Sequence, residues 1–226
     1  MSIKENYFLN RNKELSSYHS TRDQLALREI LTYKTLCKVA NFNDNLDIDS
    51  GKFLDLGSGD QFLSKAVKQE NFEYIPLDID RVNFEIDSFP IESSSIDIIF
   101  CLALIEHIAN SDLFLSECAR VLKPGGNIYL STPNFKYSYR SFYNDPTHIR
   151  PFTAISLQKQ ISFFFDKPIV FPNSRCKSEN FYRSKFSFQV ARYLPFMGSN
   201  KYMPSFLKGR ATGIFCLATK KSMDQK

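Results

Sequence analysis

The stretch Phe53 to Phe62 reads FLDLGSGDQF and carries the parts of a ligand-binding turn: an acid, Asp55, then Gly57 and Gly59 flanking Ser58, at the end of an apolar run. Glycines at these places let the backbone approach a ligand closely, because a side chain would occupy the ligand's space. A dinucleotide site would want a third glycine at the sixth position of G-x-G-x-x-G, where helix packs on strand, and this chain has Phe62 there. Asp78 closes the apolar stretch IPLDID just before Ile79, and Asp87 and Ser88 follow in EIDSFP. A carboxylate such as Asp78 can accept two hydrogen bonds from one ligand. Of the histidines, His19, His107 and His148, the second lies in LIEHI, and the third shares the Pro-restricted loop NDPTHIRPF with Asp145 and Arg150. Imidazole is the side chain best suited to moving protons near neutral pH. Cys37, Cys101, Cys118, Cys176 and Cys216 are widely spaced, mostly in apolar runs, and show neither CxxC nor Cys/His ligand spacing. They read as reduced, buried thiols, and no metal site is expected.

These residues need a scaffold. The chain has 226 residues, 43% of them hydrophobic, enough for one domain with its own core. A leading segment, STRDQLALREILTYKTLCKVANF, is predicted to be an amphipathic helix capped by Ser20 or Thr21, with Leu27, Ile30, Leu31, Leu36 and Val39 facing inward. From residue 52 strands and helices alternate: KFLDL, EYIPLDI, a short VNFEI, SIDIIFC and NIYLSTP as strands, with DQFLSKAVKQE, a helix seeded by ALIEHI, and DLFLSECARVL between them. That alternation implies a mostly parallel sheet covered by helices on both faces. Too few residues separate EYIPLDI from VNFEI for a crossover helix, and KPGG reads as a turn. Later come a helix over TAISLQKQISFFF capped by Thr153, a strand at PIVF and a last strand in ATGIFCLATKK.

D-L-G-S-G after an apolar strand resembles the first motif of class I S-adenosylmethionine-dependent methyltransferases of the small-molecule and glycan type, and the following segments match that family in order. The resemblance implies a Rossmann-like fold with a seven-stranded, mostly parallel sheet, and S-adenosylmethionine as cofactor. It implies that Asp55 lies near the methionine ammonium, that Asp78, beside Ile79, pairs the ribose hydroxyls, that Asp87 and the Ser88 amide face the adenine, and that the backbone at Cys101 meets the methionine amino group. The family often has a glycine where this chain has Gln61. His107 corresponds to a histidine found near the methyl end of the cofactor in such enzymes; its plainer reading is a helix-surface residue. The DPTH segment resembles one in methyltransferases associated with cell-surface glycans, with His148 as general base and Asp145 orienting it.

The expected organisation is one domain over 1–226: a leader (1–50), a cofactor-binding half (51–134), substrate-covering segments (135–160 and 173–210) and a last strand with tail (211–226). The acceptor is expected to be a sugar, glycan precursor or other small metabolite, methylated on a hydroxyl and placing the protein in polysaccharide biosynthesis. Methylation of an amine or carboxylate, or a scaffold without catalysis, stays open beside it. Base methylation is disfavoured, because CLALIEH replaces the N/D-P-P-F/Y motif of nucleic-acid amino-methyltransferases. Cys101 lacks the Pro-Cys context of a cytosine-attacking nucleophile. Residues 173–210 hold eight Lys/Arg and one acid, net +7 against +5 for the whole chain, and read as a lid, a cradle for an anionic acceptor or a contact with an anionic membrane. With no signal-peptide pattern in MSIKENYFLNRNKEL, a cytoplasmic protein is expected, with peripheral contact at the inner membrane face as the variant.

Overall fold

The computed structural model describes residues 19–42, 50–173 and 211–220, and single positions between 186 and 210. A long helix, α1 (His19–Ala40), precedes β1 (Gly51–Leu56), α2 (Ser64–Gln69), β2 (Phe72–Leu77) and β3 (Ile96–Leu102). A 3-10 turn (Ile105–His107) leads to α3 (Ser111–Val121) and β4 (Leu122–Pro133). Then come α4 (Phe135–Ser138), a second 3-10 turn (Phe142–Asn144), α5 (Ala154–Ser162), β5 (Asp166–Asn173) and β6 (Gly213–Thr219). The sheet order is β2-β1-β3-β4-β6-β5, parallel from β2 to β4, with β6 antiparallel to both its neighbours. This is the Rossmann-like α/β architecture expected, with six strands among the described residues where seven were anticipated.

Period-two alternation divides the core between the two faces of the sheet. Leu54, Leu56, Ile99, Ile128 and Leu130 pack with Phe114 and Cys118 of α3 and Leu157 and Ile161 of α5 on one side. Phe53, Ile98, Phe100, Tyr129 and Phe215 pack with Ile30, Tyr33, Leu36 and Cys37 of α1 on the other. There the rings run in a row, Tyr33 to Phe100 (5.4 Å), Phe100 to Tyr129 (4.7 Å) and Tyr129 to Phe215 (5.4 Å). Each such pair contributes roughly 0.5–1.5 kcal/mol beyond its buried area. Two polar bonds also tie α1 to β4: the Tyr129 hydroxyl donates to Glu29 Oε2 (2.9 Å) and Asn127 Nδ2 donates to the Tyr33 hydroxyl (2.9 Å). The leader is therefore one covering layer of the sheet.

Several expectations change here. VNFEI is a pair of turns: the Asn83 carbonyl accepts the Ile86 (3.1 Å) and Asp87 (2.9 Å) amides, and Asn83 Oδ1 accepts the Glu85 amide (3.0 Å). With its backbone groups satisfied locally, the segment has no need of a neighbouring strand. Val82, Phe84 and Phe89 are nonetheless buried, and Phe84 and Phe89 close a three-ring cluster with Phe114. The ALIEHI helix shrinks to Ile105–His107, because Ala103 turns left-handed (φ +52°) just before it. α1 starts at His19, which puts Ser20 and Thr21 inside the first turn and not in the capping position; Leu27 is exposed. KPGG lies within β4 as a bulge, β4 advancing from Leu122 to Asn127 while β3 advances only from Ile96 to Ile98. Thr153 caps α5 as expected, in a reciprocal capping box with Ser156. Among the described residues no helix is long and apolar enough to cross a membrane. Most of segment 173–210 lies outside the described residues.

Candidate active site

The turn after β1 has the geometry its glycines permit. Gly57 (φ +70°), Gly59 (φ +50°) and also Gln61 (φ +55°) sit in the left-handed region. A Cβ on Gly57 would come within 3.2 Å of the Leu104 side chain. Gln61 thus keeps the backbone of the glycine often found at its position, at a cost of about 1–2 kcal/mol. The turn is clasped to the end of β2: the Gly57 amide donates to the Leu77 carbonyl (2.9 Å), and the Gly59 and Ile79 amides each donate to one oxygen of Asp78 (2.7 Å both). Each of those oxygens has a second lone pair for a ligand hydroxyl.

Beneath the turn lies Asp55, 3% exposed, whose Oδ2 accepts the Tyr74 hydroxyl at 2.6 Å. Burial pushes its carboxyl up to about 7; the Tyr74 bond opposes the shift, and the charges of Asp78 and Asp60 add to it. Asp60 is bound by Arg22 of α1 through a bidentate pair, Nε donating at 2.6 Å, and the guanidinium lies 4.5 Å from the centre of the Phe62 ring. Phe62, in the place of the third dinucleotide glycine, thus serves to dock α1 on the turn. Asp87 and Ser88 lie apart, exposed in the segment after β2, with Asp87 Oδ2 accepting the Asn83 amide (2.8 Å). Cys101 is fully buried, and that burial, reinforced by Glu106 and Asp55, pushes its thiol well up, so it offers no thiolate nucleophile.

A second cluster forms where the loop after α4 meets the 3-10 turn beyond β3. His107 is 2% exposed, so it is not a surface residue; its Nδ1 lies 2.9 Å from Thr147 Oγ1 and 3.1 Å from the Thr147 carbonyl. The His148 ring is 4.7 Å away, its Nδ1 2.6 Å from the Phe142 carbonyl. A carbonyl only accepts, so Nδ1 carries the proton and, in the neutral ring, Nε2 holds the lone pair. Nε2 faces Glu106 Oε1 and Asp145 Oδ2, both at 4.0 Å. Asp145, expected to orient His148, stands beside its Nε2 at 4.0 Å while its Oδ1 accepts the Thr147 amide (3.0 Å) and hydroxyl (2.5 Å); the ring donates its hydrogen bond to the Phe142 carbonyl. Burial works to raise the Asp145 carboxyl, but the two Thr147 bonds and the neighbouring histidines hold it below its ordinary value.

Glu106, 1% exposed, was not picked out from the sequence. Its Oε2 accepts the Thr132 hydroxyl (2.9 Å), and its carbonyl accepts the Ile149 and Arg150 amides (3.0 Å each), which fastens the DPTH loop to the end of β3. Glu106, His107 and His148 bring ligand-type atoms within 4.8 Å of one another, a grouping able to admit a metal ion that spacing along the chain had not indicated.

Comparison with known proteins adds the family. A profile described as a methyltransferase domain matches residues 27–162. The chain is 34% identical over 101 residues to the biotin biosynthesis bifunctional protein BioHC of Cellvibrio japonicus, covering 38% of this chain and 20% of the relative. It is 26% identical over 109 residues to a ubiquinone biosynthesis O-methyltransferase of Xanthomonas oryzae pv. oryzae, covering 39% of this chain and 46% of that one. The chain thus spans a fifth to about half the length of these curated relatives. The fold is similar to the crystal structure of a SAM-dependent methyltransferase from Archaeoglobus fulgidus, with TM-score 0.57, 18% identity, and coverage of 85% and 94% of the two chains.

Proposed function

Because the chain belongs to the methyltransferase-domain family of S-adenosylmethionine-dependent class I enzymes, we propose that it transfers a methyl group to a hydroxyl of a sugar, glycan precursor or other small metabolite. The bound cofactor supplies an electrophilic methyl on a sulfonium. The residues present fit it: Gly57 holds a left-handed turn in which a Cβ would press on Leu104, Asp78 keeps acceptor capacity for two ribose hydroxyls, and Asp55 offers a carboxylate to a cationic group.

The observation that carries the hydroxyl reading is His148. A hydroxyl needs a base for its proton where an amine needs only alignment. His148 Nε2 is turned into the cluster by the Phe142 carbonyl, and the Glu106 and Asp145 carboxylates, 4.0 Å away, stabilise the imidazolium formed when it takes that proton. The test is calorimetric titration with S-adenosylmethionine and S-adenosylhomocysteine on wild type and Asp78→Ala, followed by methyl-transfer assays on hydroxylated acceptors. Cofactor binding lost in Asp78→Ala together with O-methyl product supports the reading. No binding of either nucleoside by the wild type would leave a scaffold without catalysis; product on nitrogen or carboxylate would overturn the acceptor assignment.

A further inference from the structure

Beyond the His148 cluster, a cavity of about 350 Å³ opens where β4 and β5 end and β6 begins, within the size range of small-molecule sites. Asn134, 6% exposed, lines it. Most of this residue is committed: its amide donates to the Thr212 carbonyl (2.8 Å), its carbonyl accepts the Tyr137 and Ser138 amides (2.9 Å each), and Nδ2 donates to the Ala211 carbonyl (3.3 Å). Its Oδ1 is buried without a hydrogen-bond partner. Turning the amide over would set that oxygen against the Ala211 carbonyl, so the unmet group is an acceptor. Buried acceptors are rarely left unpaired, and one in a residue that lines a cavity points to a ligand donor there.

The rest of the lining narrows the ligand. Tyr137, Phe171 and Pro172 present flat, largely apolar faces. Arg210 is exposed at the cavity and forms no ion pair with a described residue, and the described lining residues include no acid. A purely apolar ligand would leave Asn134 Oδ1 unsatisfied, and an ammonium would be repelled by Arg210. A hydroxylated ring bearing an anionic group satisfies all three surfaces: hydroxyl to Asn134, ring face to the aromatic wall, anion to Arg210. The cavity is also linked to the catalytic cluster. Phe135, next to Asn134, packs edge-on against Phe142 (5.3 Å), whose ring lies 4.6 Å from His148.

We infer that this cavity is the anion-bearing subsite of the acceptor and takes a phosphorylated sugar; the inference rests on the methyl-transfer reading and names its substrate class. Binding energy from such a remote, non-reacting group is what aligns a reacting hydroxyl. The test uses the full chain saturated with S-adenosylhomocysteine and titrated with glucose 1-phosphate, methyl glucoside and inorganic phosphate. Glucose 1-phosphate is expected to bind, with methyl glucoside and phosphate each at least about tenfold weaker, and with Arg210→Gln and Asn134→Ser each losing about tenfold. Arg210 is exposed, so Arg210→Gln decides the matter even if Asn134→Ser unfolds. No binding of glucose 1-phosphate, or equal binding by Arg210→Gln or of the neutral sugar, overturns the subsite. If S-adenosylhomocysteine still binds in that case, the methyltransferase reading stands; if it does not, both fall.

Discussion

Replacing Asp55 by asparagine removes one buried carboxyl and keeps an oxygen able to accept the Tyr74 hydroxyl. In the folded protein that carboxyl is raised from 3.8 to about 7, first by burial and then by the charges of Asp78 and Asp60. A carboxyl raised on folding binds its proton more tightly in the native state, so its stabilising effect is complete below pH about 4 and is lost as pH rises through about 7. About three pH units at about 1.4 kcal/mol each give a loss of about 4 kcal/mol, complete above pH 7. Asp55 is almost fully buried, so solvent screening takes little from this figure.

The assay is chemical denaturation of ligand-free wild type and Asp55→Asn at pH 4 to 8. Comparing the two proteins matters, because Glu29 is also raised by burial while Asp145 and Glu117 are lowered, and these contributions cancel in the difference. The variant should match the wild type near pH 4 and exceed it by about 4 kcal/mol at pH 8, which for a chain of this size is roughly 8–16 °C in Tm. Parallel stability curves from pH 4 to 8 would refute a buried, destabilised Asp55. Such a cost, retained in the fold, is consistent with a residue kept for a cationic ligand rather than for stability.

Three further outcomes follow from the geometry. His148→Gln should lower turnover by about 10²–10⁴-fold while the S-adenosylhomocysteine dissociation constant stays unchanged, read by steady-state kinetics beside calorimetry; unchanged turnover removes His148 as the base. Zn²⁺ should inhibit by engaging Glu106, His107 and His148, EDTA should restore the rate, and EDTA alone should leave a zinc-free preparation unaffected; loss of activity on chelation would instead assign a working metal to the trio. Phe84→Ala should cost about 3–5 kcal/mol in urea unfolding, because the ring is 3% exposed and packs at 5.8 Å against both Phe89 and Phe114; a value below about 1 kcal/mol would mean that the turns standing in place of the expected VNFEI strand contribute little to the core.

Elements governed by local chemistry were legible in the sequence. The glycine turn, the Thr153 cap and the strands around DLGSG, IDIIF and GIFCL depend on neighbours within a few residues or on strict alternation, and the structure has them. VNFEI misleads because its alternation is genuine: Val82 and Phe84 do turn inward. What prevents a strand is Asn83, whose side chain and carbonyl take three nearby amides, and Ile86, which would continue the pattern, is 73% exposed. Glu29 and Tyr33 interrupt the apolar face of α1, yet both are buried; their partners Tyr129 and Asn127 lie 100 and 94 residues away, beyond any local pattern.

The same separation explains the active site. His148 could be singled out by residue type and loop, but the choice of its free nitrogen rests on a carbonyl six residues back, and the carboxylate that faces it beside Asp145, that of Glu106, comes from the 3-10 turn beyond β3. From its neighbours alone, Glu106 in LIEHI reads as part of a solvated helix face. Ala103's left-handed turn cuts that helix short, and Thr132 and two loop amides hold Glu106 in the interior instead. A single backbone conformation thereby decides whether a carboxylate faces water or His148. The DPTH loop and the 3-10 turn consequently act as one unit, and a substitution in either should disturb proton transfer while leaving the glycine turn, clasped independently by Asp78, competent to bind the cofactor.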